Sequence, residues 1–375
     1  MPKKSFKTGI IGLGKVAHIH AAALQKLPQS EFVAVCSRNP EKTKGFAEQY
    51  GVVGYTDLNA FISESGVEVL LVCTPHPAHK DVSVAAAKAG IHLLIEKPLA
   101  SSLEHCDDII EAVETGGGKL GMVSQRRFFD PCLRVKQAID DGKIGDPILG
   151  FATILGWRDE PYYNSDPWRG SWDGEGGGVL VNQAPHQLDL LLWYMGELEE
   201  VFGYWGNLNH PYIEVEDTAI AVAKFKNGGL ANIVLSNSFN PAIQGKVQVL
   251  GSNGACVSAQ TDGGQMFIAG MSKIEEPPFN DIWTVPGESD LREGWEKEDG
   301  KRFAEVDPIN YYHRLQIEHF LDSIIEGRPP LADGLAGRRV VELFTAIYRS
   351  QRDNAPIKFP LQPERNRNDF DGRTP

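Results

Sequence analysis

The chain has 375 residues, too long for one compact core and of a length that suits two domains. With 42% hydrophobic and 23% charged residues and no low-complexity tract, its composition is that of an ordinary globular protein. A formal net charge of −13 argues against nucleic acid or an anionic membrane as partner.

No apolar run approaches the roughly 20 residues that span a bilayer, so no membrane partner is expected. The start, MPKKSFKTGIIG, carries two lysines but no long apolar segment, so no signal peptide is expected either. The cysteines Cys36, Cys73, Cys106, Cys132 and Cys256 are scattered and lack CxxC spacing. That pattern argues against a disulfide framework or a metal site and for a reducing compartment. The expected location is the cytoplasm.

KTGIIGLGKVAHIHAAAL opens with a strand-like run from Thr8 to Ile11, turns through Gly12-Leu13-Gly14, and becomes helical near Val16. The pattern is G-x-G-x-x-A, with Ala17 in the third small position. Small residues there permit a tight turn, let a pyrophosphate approach the backbone, and let the helix pack on the strand. The helix start offers free N–H groups to phosphate. A plain glycine turn would explain the motif alone, but the next segments of the chain give it context. A second strand runs from Phe32 to Cys36, and VEVLLVCTP (67–75) is a third, near-continuously apolar as parallel strands are. PAHKDVSVAAAKAG is helical and leads to a fourth strand in HLLIEKP, giving a doubly wound nucleotide-binding domain.

The end of the second strand bears on the choice of dinucleotide. An acidic residue there would hold the ribose 2′-hydroxyl of NAD. The residues are instead Cys36-Ser37-Arg38-Asn39, with Lys42 close behind. A hydroxyl and a guanidinium suit a 2′-phosphate, so NADP is expected, with NAD the alternative. Arg38 also reads as a solvated loop charge. In HLLIEKPLA (92–100), three apolar residues are followed by Glu96, Lys97 and Pro98. Charges at the end of a core strand are costly unless they face a cleft or a partner.

The segment 155–178, LGWRDEPYYNSDPWRGSWDGEGGG, crowds Trp157, Tyr162, Tyr163, Trp168 and Trp172 with Arg158 and Arg169. Flat aromatic faces stack on sugar rings and guanidinium groups bond hydroxyls, although the same residues could fill a loop's own small core. Arg158, Trp168 and Trp172 are the expected substrate contacts. Gly176 to Gly178 then lead into a helix whose Leu188, Leu191, Leu192 and Met195 recur at core-facing spacing. His186 and Asp189 are neighbours on one face near its start, where the helix dipole favours neutral imidazole. Residues 262–307 hold 12 Asp/Glu against 5 Lys/Arg and read as an irregular insertion, and 361–375 as an extended or disordered tail.

These pieces together resemble the glucose–fructose oxidoreductase / inositol dehydrogenase / MocA family. The resemblance rests on GIIGLGKVAHIHAAAL, VCTPHPAHKDVSVAAAKAGIHLLIEKPLA, RRFFDPCLRVKQAIDDGKIGDP and GGGVLVNQAPHQLDLLLWYMG, and it continues through EHFLDSIIEGRPPLADGLAGRRVVELFTAIYRSQRDNAPIKFP. It implies an α/β protein: a doubly wound parallel Rossmann sheet over 1–125, then a C-terminal α/β domain over 126–360 with a large, mostly antiparallel open sheet. That second sheet is implied to carry the substrate pocket and a homodimer or homotetramer interface.

The resemblance implies a cis Lys97–Pro98 bond beside the nicotinamide, Glu96 on the nicotinamide ribose, and Lys97 on the substrate hydroxyl. Cofactor contacts are expected at Gly12, Gly14, Val16, Ala17, Ser37, Arg38, Thr74, Pro75, His79, Glu96 and Lys97. Lys97 and His186 are the expected catalytic residues, with Asn182 and Asp189 joining the substrate contacts. The family's usual pattern places aspartate four residues before the histidine, where this chain has Asn182. Asparagine orients a hydroxyl or an imidazole but carries no charge, so a relay through that aspartate is in doubt and the base is either Lys97 or His186. The implied activity is hydride transfer between NAD(P) and a secondary hydroxyl of a sugar, glycoside or cyclic polyol, with ring carbon 3 one candidate position. A redox-neutral glycoside-cleaving enzyme and a non-catalytic dinucleotide sensor are the alternatives. Retention of both Lys97 and His186 counts against the sensor.

Overall fold

The computed structural model describes residues 5–263 and 274–364. They form two compact units: residues up to 125 with 308–338, and residues 126–307 with those from 339 onward.

The first unit is built on short apolar strands joined by helices. In chain order these are β1 (Phe6–Ile11), α1 (Lys15–Leu24), β2 (Ser30–Cys36), α2 (Pro40–Tyr50), β3 (Val53–Tyr55), α3 (Leu58–Glu64), β4 (Val69–Val72), α4 (His79–Lys88), β5 (His92–Ile95), α5 (Leu103–Gly116) and β6 (Leu120–Met122). The sheet order is β3-β2-β1-β4-β5-β6 and every pairing is parallel. Helices must cover both faces of such a sheet, which is why all four residues of β4 are buried. The order reverses between β1 and β4, so a crevice forms outside their carboxyl ends. The residues after β1, β4 and β5 flank that crevice. Two strands beyond the expected four, β3 and β6, are three residues each, too short for a pattern to register.

The second unit begins with α6 (Asp130–Asp140), β7 (Pro147–Leu155), and the one-turn helices α7 (Glu160–Tyr163) and α8 (Trp172–Glu175). A π-helical turn over Val179–Gln183 then feeds α9 (Pro185–Met195). Pro185 takes the first position of α9, where its missing N–H costs nothing. Leu188, Leu191, Leu192 and Met195 are buried as their spacing requires. Strands β8 (Leu198–Gly206), β9 (Thr218–Phe225), β10 (Leu230–Ser236), β11 (Gln244–Gly251) and β12 (Cys256–Asp262) follow. With β13 (Ile357–Lys358) they build a seven-stranded sheet, β12-β11-β7-β10-β9-β8-β13, in which only β7 and β10 pair in parallel.

Three expectations change. The acidic stretch 262–307 is not simply irregular, because it contains the 15-residue helix α10 (Leu291–Glu305). Its Asp299 accepts from Arg134 at 2.6 and 2.8 Å, and that guanidinium lies 4.9 Å from the Trp295 ring centre. The second domain is also not continuous. Helix α11 (Pro308–Glu326) sends Ile317, Phe320 and Leu321 into the core formed by β1, β4 and α1. Finally, 361–364 is tied down against α12 (Gly334–Asp353). The Leu361 N–H donates to Glu342 at 2.7 Å, the Gln362 carbonyl accepts from Arg349 at 2.9 Å, and Glu364 accepts from Arg352 at 2.7 and 2.9 Å. The rest of the expected tail, 365–375, and residues 264–273 lie outside the described residues. Among the described residues no helix is long and apolar enough to cross a membrane.

Phe320 is 1% exposed and belongs to the returning segment, so Phe320→Ala is expected to destabilise the first unit by about 3–5 kcal/mol. Urea unfolding of the variant measures this; an unchanged midpoint would detach α11 from that core.

Candidate functional site

At the end of β1 the chain turns through Gly12 at φ +87°, where a Cβ would lie 2.5 Å from both the Cys73 carbonyl carbon and the Thr74 nitrogen. Only glycine passes there, and the turn consequently rests on the loop after β4. Gly14 begins α1 in an extended conformation with no side-chain cap, and a Cβ on it would meet nothing within 4 Å. Ala17 is buried against the sheet, and Val16 packs on the same core. The start of α1 has no side-chain cap, so it presents its positive dipole end to a ligand. The buried Thr74 Oγ1 has no partner among the described residues. An uncapped helix start, open space over Gly14 and an orphaned hydroxyl fit a dinucleotide pyrophosphate.

The loops after β4 and β5 are joined by one ring. His79 Nε2 lies 2.9 Å from the Thr74 carbonyl oxygen, and Nδ1 lies 3.0 and 3.3 Å from those of Pro98 and Leu99. Burial lowers the His79 pKa. The ring is fully buried with both nitrogens on protein carbonyls, so its geometry supports a tether between these loops rather than the expected cofactor contact. Pro75 is exposed next to it, before a one-turn 3-10 helix.

At the end of β5, Glu96 is buried and its Oε1 lies 2.7 Å from His20 Nε2, while Oε2 accepts from the Lys97 N–H at 3.2 Å. Burial pushes the Glu96 carboxyl up, but the His20 bond and the charges of His20, His313 and Lys97 outweigh it and hold it at about 2. His313 of α11 meets the His20 ring edge-on, 5.5 Å between centres. Lys97 is half-buried and its bond to Pro98 is cis. His20 was missing from the expected residues. The signal available was a polar side chain on the buried stripe Ala17-Ala21-Leu24 of α1. After β2, Ser37 Oγ accepts from the Asn39 N–H at 3.2 Å, Asn39 caps α2 by accepting from the Lys42 N–H at 2.9 Å, and Arg38 is exposed.

In the second unit the glycine run has a steric cause. A Cβ on Gly178 would collide with the Glu216 carbonyl oxygen, so this backbone lies directly against Glu216. The Glu216 carboxyl accepts from Gly178 N–H at 2.9 Å and Leu180 N–H at 3.0 Å. Burial nevertheless pushes it up to about 7. The turn pinned in this way carries Asn182 and Gln183.

Asn182 Nδ2 donates to Glu175 and, at 3.1 Å, to the Tyr162 hydroxyl. Gln183 Nε2 and an Arg169 guanidinium nitrogen lie 3.1 and 2.5 Å from the same oxygen, whose two lone pairs serve two of these three donors at a time. Arg158 and Arg169 lie 5.0 and 4.3 Å from the Tyr162 ring centre, and Arg169 lies 4.4 Å from that of Trp168. Asn182 and Arg158 therefore meet at Tyr162, which the sequence places in the aromatic cluster without making it a contact, and Trp168 joins them through Arg169. His186 is buried in the first turn of α9.

Two expected substrate contacts are engaged elsewhere. Asp189 is buried with both oxygens on Arg127, at 2.7 and 2.6 Å, so its carboxylate anchors α9 instead of facing a ligand. Trp172 donates its indole N–H to the Glu214 carbonyl at 3.1 Å and packs edge-on against Trp205 and Tyr348, each 5.8 Å away. Another buried pair, His210 Nδ1 with Asp217 at 2.7 Å, holds the Arg158 carbonyl through Nε2 at 2.8 Å.

Because the Glu216 carboxyl stands above its unfolded value of 4.5, the folded chain holds this proton more tightly. Its stabilising contribution is present below pH 4.5 and is lost as pH rises towards about 7, a loss on the order of 3 kcal/mol. Urea unfolding should show this group lowering stability between pH 5 and 8. Glu216→Gln should remove that component while starting less stable at pH 5. An identical slope in the variant would contradict the assignment.

A family model described as "Oxidoreductase family, NAD-binding Rossmann fold" matches residues 6–123, and the "GFO/IDH/MocA C-terminal domain" matches 132–257. The myo-inositol 2-dehydrogenase of Thermotoga maritima is 31% identical over 66% of this chain and 73% of its own length. The scyllo-inositol 2-dehydrogenase (NAD(+)) of Bacillus subtilis is 23% identical over 95% of this chain and 97% of its own. Among solved structures, the WlbA dehydrogenase from Bordetella pertussis, in complex with NADH and UDP-GlcNAcA, superposes with a TM-score of 0.84. It is 27% identical and covers 96% of this chain and all of its own. With an NAD-binding Rossmann domain and the matching C-terminal domain, this chain is an oxidoreductase of the Gfo/Idh/MocA family.

Proposed function

We propose that the chain is a dehydrogenase acting on a secondary hydroxyl of a sugar, glycoside or cyclic polyol. The observation that carries this is the corner at the end of β5, where a carboxylate held ionised by His20 stands beside the Lys97 ammonium. Relatives named as inositol dehydrogenases, and one crystallised with a nucleotide-linked sugar acid, support the substrate class.

When bound, the dinucleotide supplies the hydride acceptor. In this reading Gly12, Gly14, Val16 and Ala17 shape the turn that receives its phosphates, Thr74 and Pro75 border it, and Glu96 accepts from its ribose hydroxyls. The substrate C–H bond breaks with its electron pair leaving as hydride. Its O–H proton goes to Lys97 or His186, and a ketone remains. A lysine serves as base once its pKa falls towards about 7–8, which the positive oxidised nicotinamide promotes. Asn182, Arg158 and Trp168 hold the ring hydroxyls and the C–H face. Ring carbon 3 is the proposed position.

NADP is the proposed cofactor, with Arg38 and Ser37 on the 2′-phosphate. The residues that end β2 and follow it, Cys36-Ser37-Arg38-Asn39, include no carboxylate to repel it. The proposed assembly is a homodimer or homotetramer through the outer face of the seven-stranded sheet. There Tyr204, Ile220 and Val222 are exposed, and the pairing of Tyr204 with Ile220 and of Phe202 with Val222 makes the apolar patch continuous. Apolar patches of this kind mark interfaces.

Absorbance at 340 nm, followed with NAD+ and NADP+ against hexoses, glucosides, anhydrosugars and inositols, tests the reading. Lys97→Ala is expected to lower kcat about 10²–10⁴-fold. A flat trace while glycosides are consumed would replace the dehydrogenase with a redox-neutral glycosidase. Arg38→Ala should raise the Kd for NADP+ about 10–100-fold and leave that for NAD+ unchanged. Equal loss for both would overturn the NADP assignment.

A further inference from the structure

The family's aspartate is replaced by Asn182, yet a buried carboxylate bonds the amide that stands there. Glu175 ends α8, and the chain then turns back through Gly176 at φ +89°. That reversal brings Glu175 onto the amide of Asn182, seven residues later. Glu175 is 1% exposed. Its Oε2 accepts from the Gly170 N–H at 2.7 Å, and Oε1 accepts from Asn182 Nδ2.

Resting on the dehydrogenase reading above, we propose that Glu175 is a positioning residue: it supplies the negative charge that residue 182 lacks and orients the Asn182 amide towards the substrate. The chemistry of the amide decides its orientation. The NH2 group has two hydrogens: one is accepted by Glu175, and the other faces the Tyr162 hydroxyl 3.1 Å away, which Gln183 and Arg169 share. A carbonyl oxygen cannot face the Glu175 carboxylate, so a flipped amide is excluded and Oδ1 points away from Glu175. Asn182 thereby becomes a fixed acceptor for a substrate hydroxyl. The charge that would have stood on the aspartate sits one hydrogen bond further back, inside the protein. Tyr162 connects the Asn182 amide to the cations, since Arg169 bonds the same hydroxyl and Arg158 lies over the ring. A charge-assisted bond of this kind is stronger than one between neutral groups, and removing one partner leaves a buried group exposed to its full desolvation cost.

The pair is exchangeable, which makes the inference testable. Asn182→Asp alone places two carboxylates in contact, so one must take up a proton. Glu175→Gln alone removes the charge. The double variant Glu175→Gln/Asn182→Asp restores an amide–carboxylate bond with the charge moved to position 182. In it the introduced glutamine side chain still accepts from the Gly170 N–H through its carbonyl.

Urea unfolding and kcat at 340 nm are measured for wild type, both single variants and the double. Each single variant is expected to lower the unfolding midpoint and reduce kcat about 10–100-fold. The double variant is expected to recover both, with kcat within about threefold of wild type. A double variant no better than its worse parent, or an Asn182→Asp variant as stable and active as wild type, would overturn the proposal. Recovery of the midpoint without recovery of kcat would reduce Glu175 to a structural role and overturn the positioning claim. If wild type turns over no substrate, the dehydrogenase reading fails instead. The unfolding cycle then decides the pairing alone, and additive single effects reject it.

Discussion

A carboxylate buried at the end of a core strand, kept ionised by a histidine from another element, is the constraint on which the rest depends. Unpaired, Glu96 would take up a proton and lose the charge that makes it a strong acceptor. His20 prevents that from α1, and His313 adds its charge from α11. The sequence places charged residues where a strand should stay apolar, and the first unit is arranged to tolerate them. The turn after β1 admits only glycine beside the β4 loop, His79 ties that loop to the one after β5, and α11 returns from far along the chain to complete the core.

The second unit meets the same problem with a different balance. Glu216 is also buried, but two backbone N–H groups do not match what burial costs it, so its carboxyl stands near neutrality. Glu175 is met by an N–H and an amide, and two arginines pack on the ring of Tyr162, whose hydroxyl the same amide faces. The Gly176–Gly178 run lets backbone, carboxylates and the turn before α9 approach this closely. The helix that carries His186 is anchored by the Asp189–Arg127 pair. Charge inside this unit thus holds the segments that present Asn182, Gln183 and His186.

Much of this was legible from residue type and spacing. Gly12, Gly14 and Ala17 mark the first turn because each lacks bulk where backbone or ligand must approach. The apolar runs before Cys36, Cys73 and Glu96 mark parallel strands because both of their faces are buried. What stayed hidden depends on partners distant in sequence. Ile317, Phe320 and Leu321 show a buried helix face but not which core it enters. Asp189 and Trp172 are types that bind sugars, and nothing local shows that Arg127 and the Glu214 carbonyl already engage them. Glu175 is invisible for the converse reason: the missing charge at Asn182 is legible, but its replacement depends on a chain reversal at Gly176.

Direct transfer of hydrogen from substrate carbon to the dinucleotide is the step that the proposed function requires. Carbon-deuterated glucose and myo-inositol, incubated with the protein and oxidised dinucleotide and read by mass spectrometry, test it. The expected result is reduced dinucleotide carrying one deuteron, with a ketone as co-product and loss of the label transfer in Lys97→Ala. Consumption of either sugar with no deuterium in the dinucleotide pool and no ketone formed would contradict the dehydrogenase.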